Sequence, residues 1–202
     1  MLVVGLTGGI GCGKTAVSNI FHTHFSIPVI DADTIARELT ETKEVSGLLY
    51  EILGTKYFDE DQKLLRDKLR QAVFSDSGIR NTLEGILHPL VYREIKRELS
   101  QLDTFYCIVV IPLLLETNRT ELTDRILVVD CTIEQQIHRV TLRDKCGETH
   151  VRDIIATQIE RDRRLKLAND IIENNKSLDF LKEKVAILHE YYCAMAKPFD
   201  TS

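Results

Sequence analysis

Short apolar runs rich in β-branched residues recur at 2–6, 27–30, 106–111, 126–129 and 171–172, and stretches with apolar residues three or four positions apart separate them. The first spacing predicts strands and the second predicts amphipathic helices. Their alternation is the rhythm of a parallel sheet with crossover helices, an α/β chain. The run 107–111 is apolar without a break, so that strand is covered on both faces. After the first strand, Val17, Ile20, Phe21 and Phe25 mark one helix face. Between the second and third strands the chain is too long for a simple crossover, and it carries helical stripes instead. These are Leu48, Leu49, Ile52 and Leu53, then Leu83, Ile86, Leu87, Leu90, Val91, Ile95 and Leu99. This segment reads as an inserted helical lobe, in which Pro89 should start or kink a helix. A second insertion follows the fourth strand, with helices framing Lys145, Cys146 and Gly147. The last helix, with Leu178, Leu181, Val185, Leu188, Tyr192 and Met195 at spacings of three and four, should dock on the core. The division expected is a core of 1–33, 104–133 and 168–202, a lobe of 34–103 and a second insertion of 134–167.

Residues 8–15 read GGIGCGKT and match G-x-x-x-x-G-K-[ST] between the first strand and the first helix, the context that this phosphate-binding pattern requires. Glycines let the backbone curl so that consecutive N–H groups face phosphate oxygens without intervening Cβ atoms. Lys14 adds a mobile positive charge. Thr15 offers a hydroxyl to Mg²⁺, and the helix N-terminus that begins there favours the same anion. Gly8, Gly9, Ile10, Gly11, Cys12, Gly13, Lys14, Thr15 and Ala16 are therefore the candidate nucleotide-binding segment, with the phosphates of a nucleotide and Mg²⁺ as its ligands. The fold class expected is a P-loop NTPase three-layer α/β fold around a parallel five-stranded sheet. Cys12, near a helix N-terminus where thiolate is favoured, should be the thiol whose modification inhibits.

Composition narrows the partners. The 202 residues are 44% hydrophobic and 28% charged with a net charge of −5, an ordinary soluble balance that argues against a nucleic-acid-binding surface. Cationic residues do gather late: Arg139, Arg143, Lys145, Arg152, Arg161, Arg163, Arg164 and Lys166 stand among slightly fewer acids between 134 and 170. The five cysteines lack any C-x-x-C or zinc spacing, which fits a reducing cytoplasm. The longest apolar stretch, 107–115, contains Pro112 and is well short of a membrane span. The first apolar residues have no basic region before them and run into the phosphate loop, so no cleaved signal is expected. A monomer or weak homo-oligomer acting on small molecules is the expectation, without nucleic acid or membrane.

A phosphate loop alone suits a kinase, a switch or a motor. The guanine reader N-K-x-D is absent, and the one D-x-x-G, Asp144 to Gly147, follows a helix instead of ending a strand. The third strand ends at Ile111 and Pro112 without the aspartate that usually holds the metal. That work falls to Asp31 and Asp33, just past the second strand on the sheet edge where ligands gather. Phosphoryl transfer to a hydroxyl needs a carboxylate to accept its proton and an oxygen to hold Mg²⁺, and two acids here can divide those tasks. His88 before Pro89 can equally cap a helix, and Glu116 can equally pair with an arginine.

Five segments together, GLTGGIGCGKT, VIDADTIAR from Val29, LEGILHPLVYREI from Leu83, IPLLLE from Ile111 and ANDIIEN from Ala168, resemble the dephospho-CoA kinase family in order and spacing. The resemblance implies a P-loop kinase in which the lobe binds the acceptor and the second insertion is a lid. It implies transfer of the γ-phosphate of ATP to the ribose 3′-hydroxyl of dephospho-CoA, the last step of coenzyme A synthesis. It further implies that Asp33 is the general base, with Asp31 left to the metal. Asp33, Arg66, His88, Leu113, Leu114 and Glu116 then shape the acceptor site, and Arg139, Arg143, Gln158 and Arg161 belong to the lid, Arg139 and Arg143 binding ATP and Lys14 and Arg143 supporting catalysis. A nucleoside or nucleoside-monophosphate kinase shares loop, lid and lobe, and a nucleotide-dependent switch shares the loop. The chain departs from the family's usual serine at Cys12, from glycine at Gln62, where the need for positive φ is thereby weakened, and from aspartate at Asn169, which loses the charge.

Overall fold

The computed structural model describes residues 1–117 and 120–196. In chain order the elements are β1 (Leu2–Gly8), α1 (Lys14–Phe25), β2 (Val29–Asp31), α2 (Ala32–Glu41), α3 (Lys43–Leu53), α4 (Arg66–Ser75), α5 (Ser77–Gln101) and β3 (Tyr106–Val110). They continue with β4 (Arg125–Asp130), α6 (Ile133–Asp144), α7 (Glu148–Thr157), α8 (Arg161–Leu167), β5 (Asp170–Glu173) and α9 (Leu178–Ala196). The chain divides into two compact units, one of Met1–Asp31 with Leu102–Ser202 and the other of Ala32–Gln101.

The first unit holds a five-stranded sheet in the order β2-β3-β1-β4-β5, and each neighbouring pair is parallel. Every residue of β3 is buried, as its unbroken apolarity predicts. On one face Val4, Leu6, Ile108, Leu127 and Val129 meet Val17 and Phe21 of α1 and Leu181, Val185 and Tyr192 of α9. Burying each such large side chain contributes about 1.5–3 kcal/mol, so this layer is the principal source of stability in the unit. The second insertion belongs to the same unit and has a smaller core of Ile137, Val140 and Val151, against which Ile10 of the glycine-rich loop packs.

The second unit is helical and has its own core of Val45, Leu49, Tyr57, Phe58 and Leu69, packed by Leu83, Ile86, Leu87 and Leu90. Pro89 does not start a helix here, because α5 runs through it unbroken from Ser77 to Gln101. Apolar contacts on both sides of the proline hold the helix across the one N–H that proline cannot donate. The turn at 59–63 also differs from its sequence reading. Gln62 sits at φ 59°, so this turn does use the left-handed region despite lacking glycine. The Asp59 carboxylate compensates by accepting from the N–H groups of Asp61 at 3.0 Å and Lys63 at 2.8 Å.

Asn169 takes a structural part in pairing β4 with β5. Its Oδ1 accepts from the N–H of Ile126 at 2.8 Å while its own N–H donates to the Ile126 carbonyl at 2.9 Å. The ionic part falls to Asp170, whose two oxygens accept a fork from Arg125 at 2.9 and 3.0 Å and a bond from the Tyr192 hydroxyl at 2.9 Å. This ties β4, β5 and α9 together at the end of the sheet away from the glycine-rich loop. Asp170→Ala strands a mostly buried guanidinium and a fully buried phenol, so it should cost about 3 kcal/mol. A lower urea midpoint at unchanged denaturant slope is the expected reading; an unaltered midpoint would remove the network from the stability of the sheet.

Candidate active site

The loop leaves β1 at Gly8 and enters α1 at Lys14. Its carbonyls are all tied back. Lys14 Nζ donates to Gly8 O at 2.8 Å and Gly9 O at 3.1 Å, and the N–H of Cys12 donates to Gly9 O at 3.2 Å. Gln136 Nε2 donates to Ile10 O at 2.6 Å, Arg139 to Gly11 O at 3.3 Å, and Asn174 Nδ2 to Cys12 O at 2.8 Å. Gly13 O accepts the first α1 bond, from Val17 at 3.1 Å. With its acceptors anchored outward, the loop is shaped to offer its donors to an anion.

Two of the loop's glycines face the side chains that anchor it. Gly13 has φ 95°, and a Cβ there would lie 2.2 Å from Asn174 Nδ2. A Cβ on Gly9 would lie 2.3 Å from Gln136 Nε2 and 2.8 Å from an Arg164 guanidinium nitrogen. The side chains that hold the loop therefore stand where any larger residue would go.

Three cationic groups surround the loop: Lys14, Arg139 and Arg164. Arg139 spans Gly11 O and Asn174 O, the latter at 2.8 Å, while Arg164 is only 5% exposed and donates to Ile159 O at 2.8 Å. Arg161 is instead forked onto Asp130, a buried carboxylate that ends β4, at 2.9 Å and 3.1 Å from its Nε. Arg143 is not brought to the loop. It is exposed at the end of α6 and forks onto its neighbour Asp144 at 2.7 and 2.8 Å. The D-x-x-G aspartate is thus the partner of a surface arginine.

The turn before α8 is fastened to the loop. Gln158 Oε1 accepts from the N–H of Ile10 at 3.0 Å, and Glu116 Oε1 accepts from the N–H of Ile159 at 3.1 Å. Glu116 therefore positions this turn. Leu114 is fully buried and acts as a core residue, whereas Leu113 next to it is 40% exposed. The reason is the turn after β3, which points neighbouring side chains in opposite directions.

Asp31 closes β2 and is half-buried, and Asp33 is exposed in the first turn of α2. Since β3 lies between β2 and β1, Asp31 stands two strand spacings from the loop's strand, roughly 10 Å. Thr15 is exposed on the first turn of α1. Among the described residues no group of three or more His, Cys, Asp or Glu could hold a metal ion.

Within the helical unit Arg66 is bound by the end of α2. It donates to Arg37 O at 2.8 Å, Thr40 Oγ1 at 3.0 Å and Glu41 Oε1 at 3.0 Å. Arg66, Thr40 and Glu41 border a cleft of about 750 Å³ that is also lined by Lys43, Tyr50 and Gln62. His88 is half-buried midway along α5.

Cys12 is buried, and its Sγ lies 3.4 Å from that of Cys131, the first residue after β4. Its thiol is held below the usual range, chiefly by the hydrogen bond from Cys131 and also by the charges of Lys14 and Arg164, against burial and Asp130. Sequence reasoning missed the parts played by Cys131, Gln136, Asn174 and Asp130, and placed Arg164 only among the late basic residues. Only Asp130, an acid at a strand's C-terminal end, carried a readable signal.

A family model described as dephospho-CoA kinase matches residues 2–179. The chain belongs to the dephospho-CoA kinase family. A relative named dephospho-CoA kinase from Nitrosospira multiformis is 43% identical over 199 residues, covering 98% of this chain and 99% of its own. The crystal structure of TT1252 from Thermus thermophilus is 30% identical with a TM-score of 0.80, covering 94% of this chain and 97% of that one. The dephospho-CoA kinase structure from Campylobacter jejuni, at 23% identity and a TM-score of 0.65 over 94% and 96% of the chains, has the same fold. The five-stranded parallel sheet of this chain is therefore that of a P-loop kinase fold.

Gly13→Ala places a side chain at left-handed φ and against Asn174, and 1–2 kcal/mol of backbone strain corresponds to roughly tenfold weaker triphosphate binding. Adding Asn174→Gly should relieve the collision and leave the strain. Calorimetric titration with ATP checks both; equal affinity of Gly13→Ala and the parent would contradict the loop conformation.

Proposed function

We propose that the chain transfers the γ-phosphoryl group of ATP to the ribose 3′-hydroxyl of dephospho-CoA, giving coenzyme A and ADP. The observation that carries this reading is the phosphate loop, its carbonyls anchored and three cations around it, in a chain that matches the family over 2–179. Phosphoryl transfer asks the protein chiefly for positioning and for charge on the migrating group. Lys14 exchanges the Gly8 and Gly9 carbonyls for phosphate oxygens, and Arg139, as the sequence reading had it, supplies cationic charge together with Arg164, which takes the place given to Arg143. Thr15 and Asp31 would hold Mg²⁺, which would supply positive charge against the phosphates. Asp33 accepts the proton of the ribose hydroxyl.

The helical unit contributes acceptor contacts, with Arg66 acting through the end of α2 and with His88; Leu113 is the acceptor contact contributed by the first unit. Residues 134–167 serve as the lid. The substrates are small molecules, and the protein works in the cytoplasm as a monomer or weak homo-oligomer, apart from nucleic acid and membrane. No described helix is long and apolar enough to cross a membrane.

The deciding experiment incubates the protein with ATP, Mg²⁺ and dephospho-CoA beside nucleosides and nucleoside monophosphates. Mass analysis should find one phosphate added at the 3′ position of dephospho-CoA, and preferential phosphorylation of a nucleoside compound would overturn the assignment. Lys14→Ala should lower kcat by about 10² or more while circular dichroism stays unchanged; near-normal turnover would displace Lys14 from the reaction. Asp33→Asn should lower kcat by ~10² to 10⁴ with ATP affinity preserved. Retention of most of the parent's kcat would leave positioning alone to carry the step.

A further inference from the structure

Cys12 and Cys131 form a buried pair of thiols under the phosphate loop, with sulfurs 3.4 Å apart. We propose that this pair is an oxidisable dithiol, converted by a hydroperoxide into an intramolecular disulfide that disables the nucleotide site. Three features of the structure support it. The sulfurs already touch across two different segments, the loop and the end of β4, and a disulfide requires them to come only roughly 1.4 Å closer, to about 2.0 Å. Cys12 has its proton partner in Cys131 and its electrostatic support in Lys14 and Arg164, the conditions that make a thiol nucleophilic. The remaining cysteines are elsewhere: Cys107 is inside β3, Cys146 lies between α6 and α7, and Cys193 is on α9 beside His189.

The chemistry balances with the peroxide as oxidant. The Cys12 thiolate attacks one peroxide oxygen, the O–O bond breaks, and Cys12 becomes a sulfenic acid as the leaving oxygen takes a proton to form water. Cys131 sulfur then attacks the Cys12 sulfur, the S–O bond breaks and a second water leaves. Two thiols lose two electrons and two protons in all, and hydrogen peroxide becomes two waters. The second step is favoured over further oxidation because the resolving sulfur of Cys131 lies only 3.4 Å from that of Cys12.

The consequence follows from the bonds that Cys12 makes. Its N–H closes on Gly9 O and its carbonyl is held by Asn174. Drawing its sulfur onto β4 pulls this backbone away from both and shifts the amides of Gly11 and Gly13 on either side. A loop displaced by even an ångström no longer presents its donors to phosphate together.

The test exposes the full-length protein to hydrogen peroxide, quenches it with an alkylating agent in denaturant, and maps cysteine peptides by mass. A linked peptide containing Cys12 and Cys131, at least tenfold loss of kinase activity and recovery with dithiothreitol are the expected results. A variant carrying Cys107→Ala, Cys146→Ser and Cys193→Ser should behave as the parent does. Cys131→Ser, and Cys131→Val as a second version with no hydrogen-bonding group, should give no linked peptide and no dithiothreitol-reversible loss attributable to one. Inactivation of the parent without a Cys12–Cys131 link, or a quantitative link with full activity, would overturn the proposal. The mapping is independent of which acceptor is phosphorylated, so its failure is separable from failure of the assigned reaction.

Discussion

The anchoring of the phosphate loop by its carbonyls is the constraint on which the site depends. A loop that must offer N–H groups to a ligand has an equal number of C=O groups to satisfy, and buried carbonyls without donors are costly. Here the donors come from far along the chain: Gln136 and Arg139 on α6, Asn174 after β5 and Lys14 on the loop's own helix. The second insertion and the end of β5 thereby determine the shape of a loop encoded near the start of the chain. Two glycines are fixed by the same contacts, since the anchoring side chains occupy the space where their Cβ atoms would stand.

The same arrangement sorts the basic residues of the second insertion. Arg143, Arg152 and Arg161 are each paired with a carboxylate, on Asp144, Glu148 and Asp130. The exposed pairs contribute little to stability. Arg139 and Arg164 meet backbone carbonyls instead, close to the loop. Two guanidinium groups held by backbone carbonyls thus stand close to the loop, although the chain as a whole is acidic. Arg161 with Asp130 is a mixed case, because the carboxylate is only 2% exposed and the guanidinium satisfies it beside the loop. Its removal would leave a buried charge, so this pair acts on the loop's surroundings even without touching it.

Much of the fold was legible because hydrophobic periodicity and a strict local motif express local physics. The five strands, the helix after the loop and the helical insertion follow from spacing, and the loop itself follows from glycines and a lysine at positions where backbone curvature demands them. Pro89 and Gln62 mark the limit of such rules. A proline is carried inside α5 by packing on either side of it, and a glutamine takes left-handed φ because Asp59 satisfies the turn's N–H groups.

What the sequence determined by itself was the class of chemistry, since a phosphate cradle needs only a short contiguous segment with a strand before it and a helix after it. Only the tertiary structure decided which distant side chains serve that segment. Arg143 and Arg139 lie on one helix and look alike in sequence, yet one turns to a neighbouring aspartate and the other to the loop. Leu113 and Leu114 are adjacent, and only the second is buried. Cys131 gains meaning only from the sulfur beside it. Contacts between residues more than a hundred positions apart depend on strand order and register, and these arise when the sheet assembles.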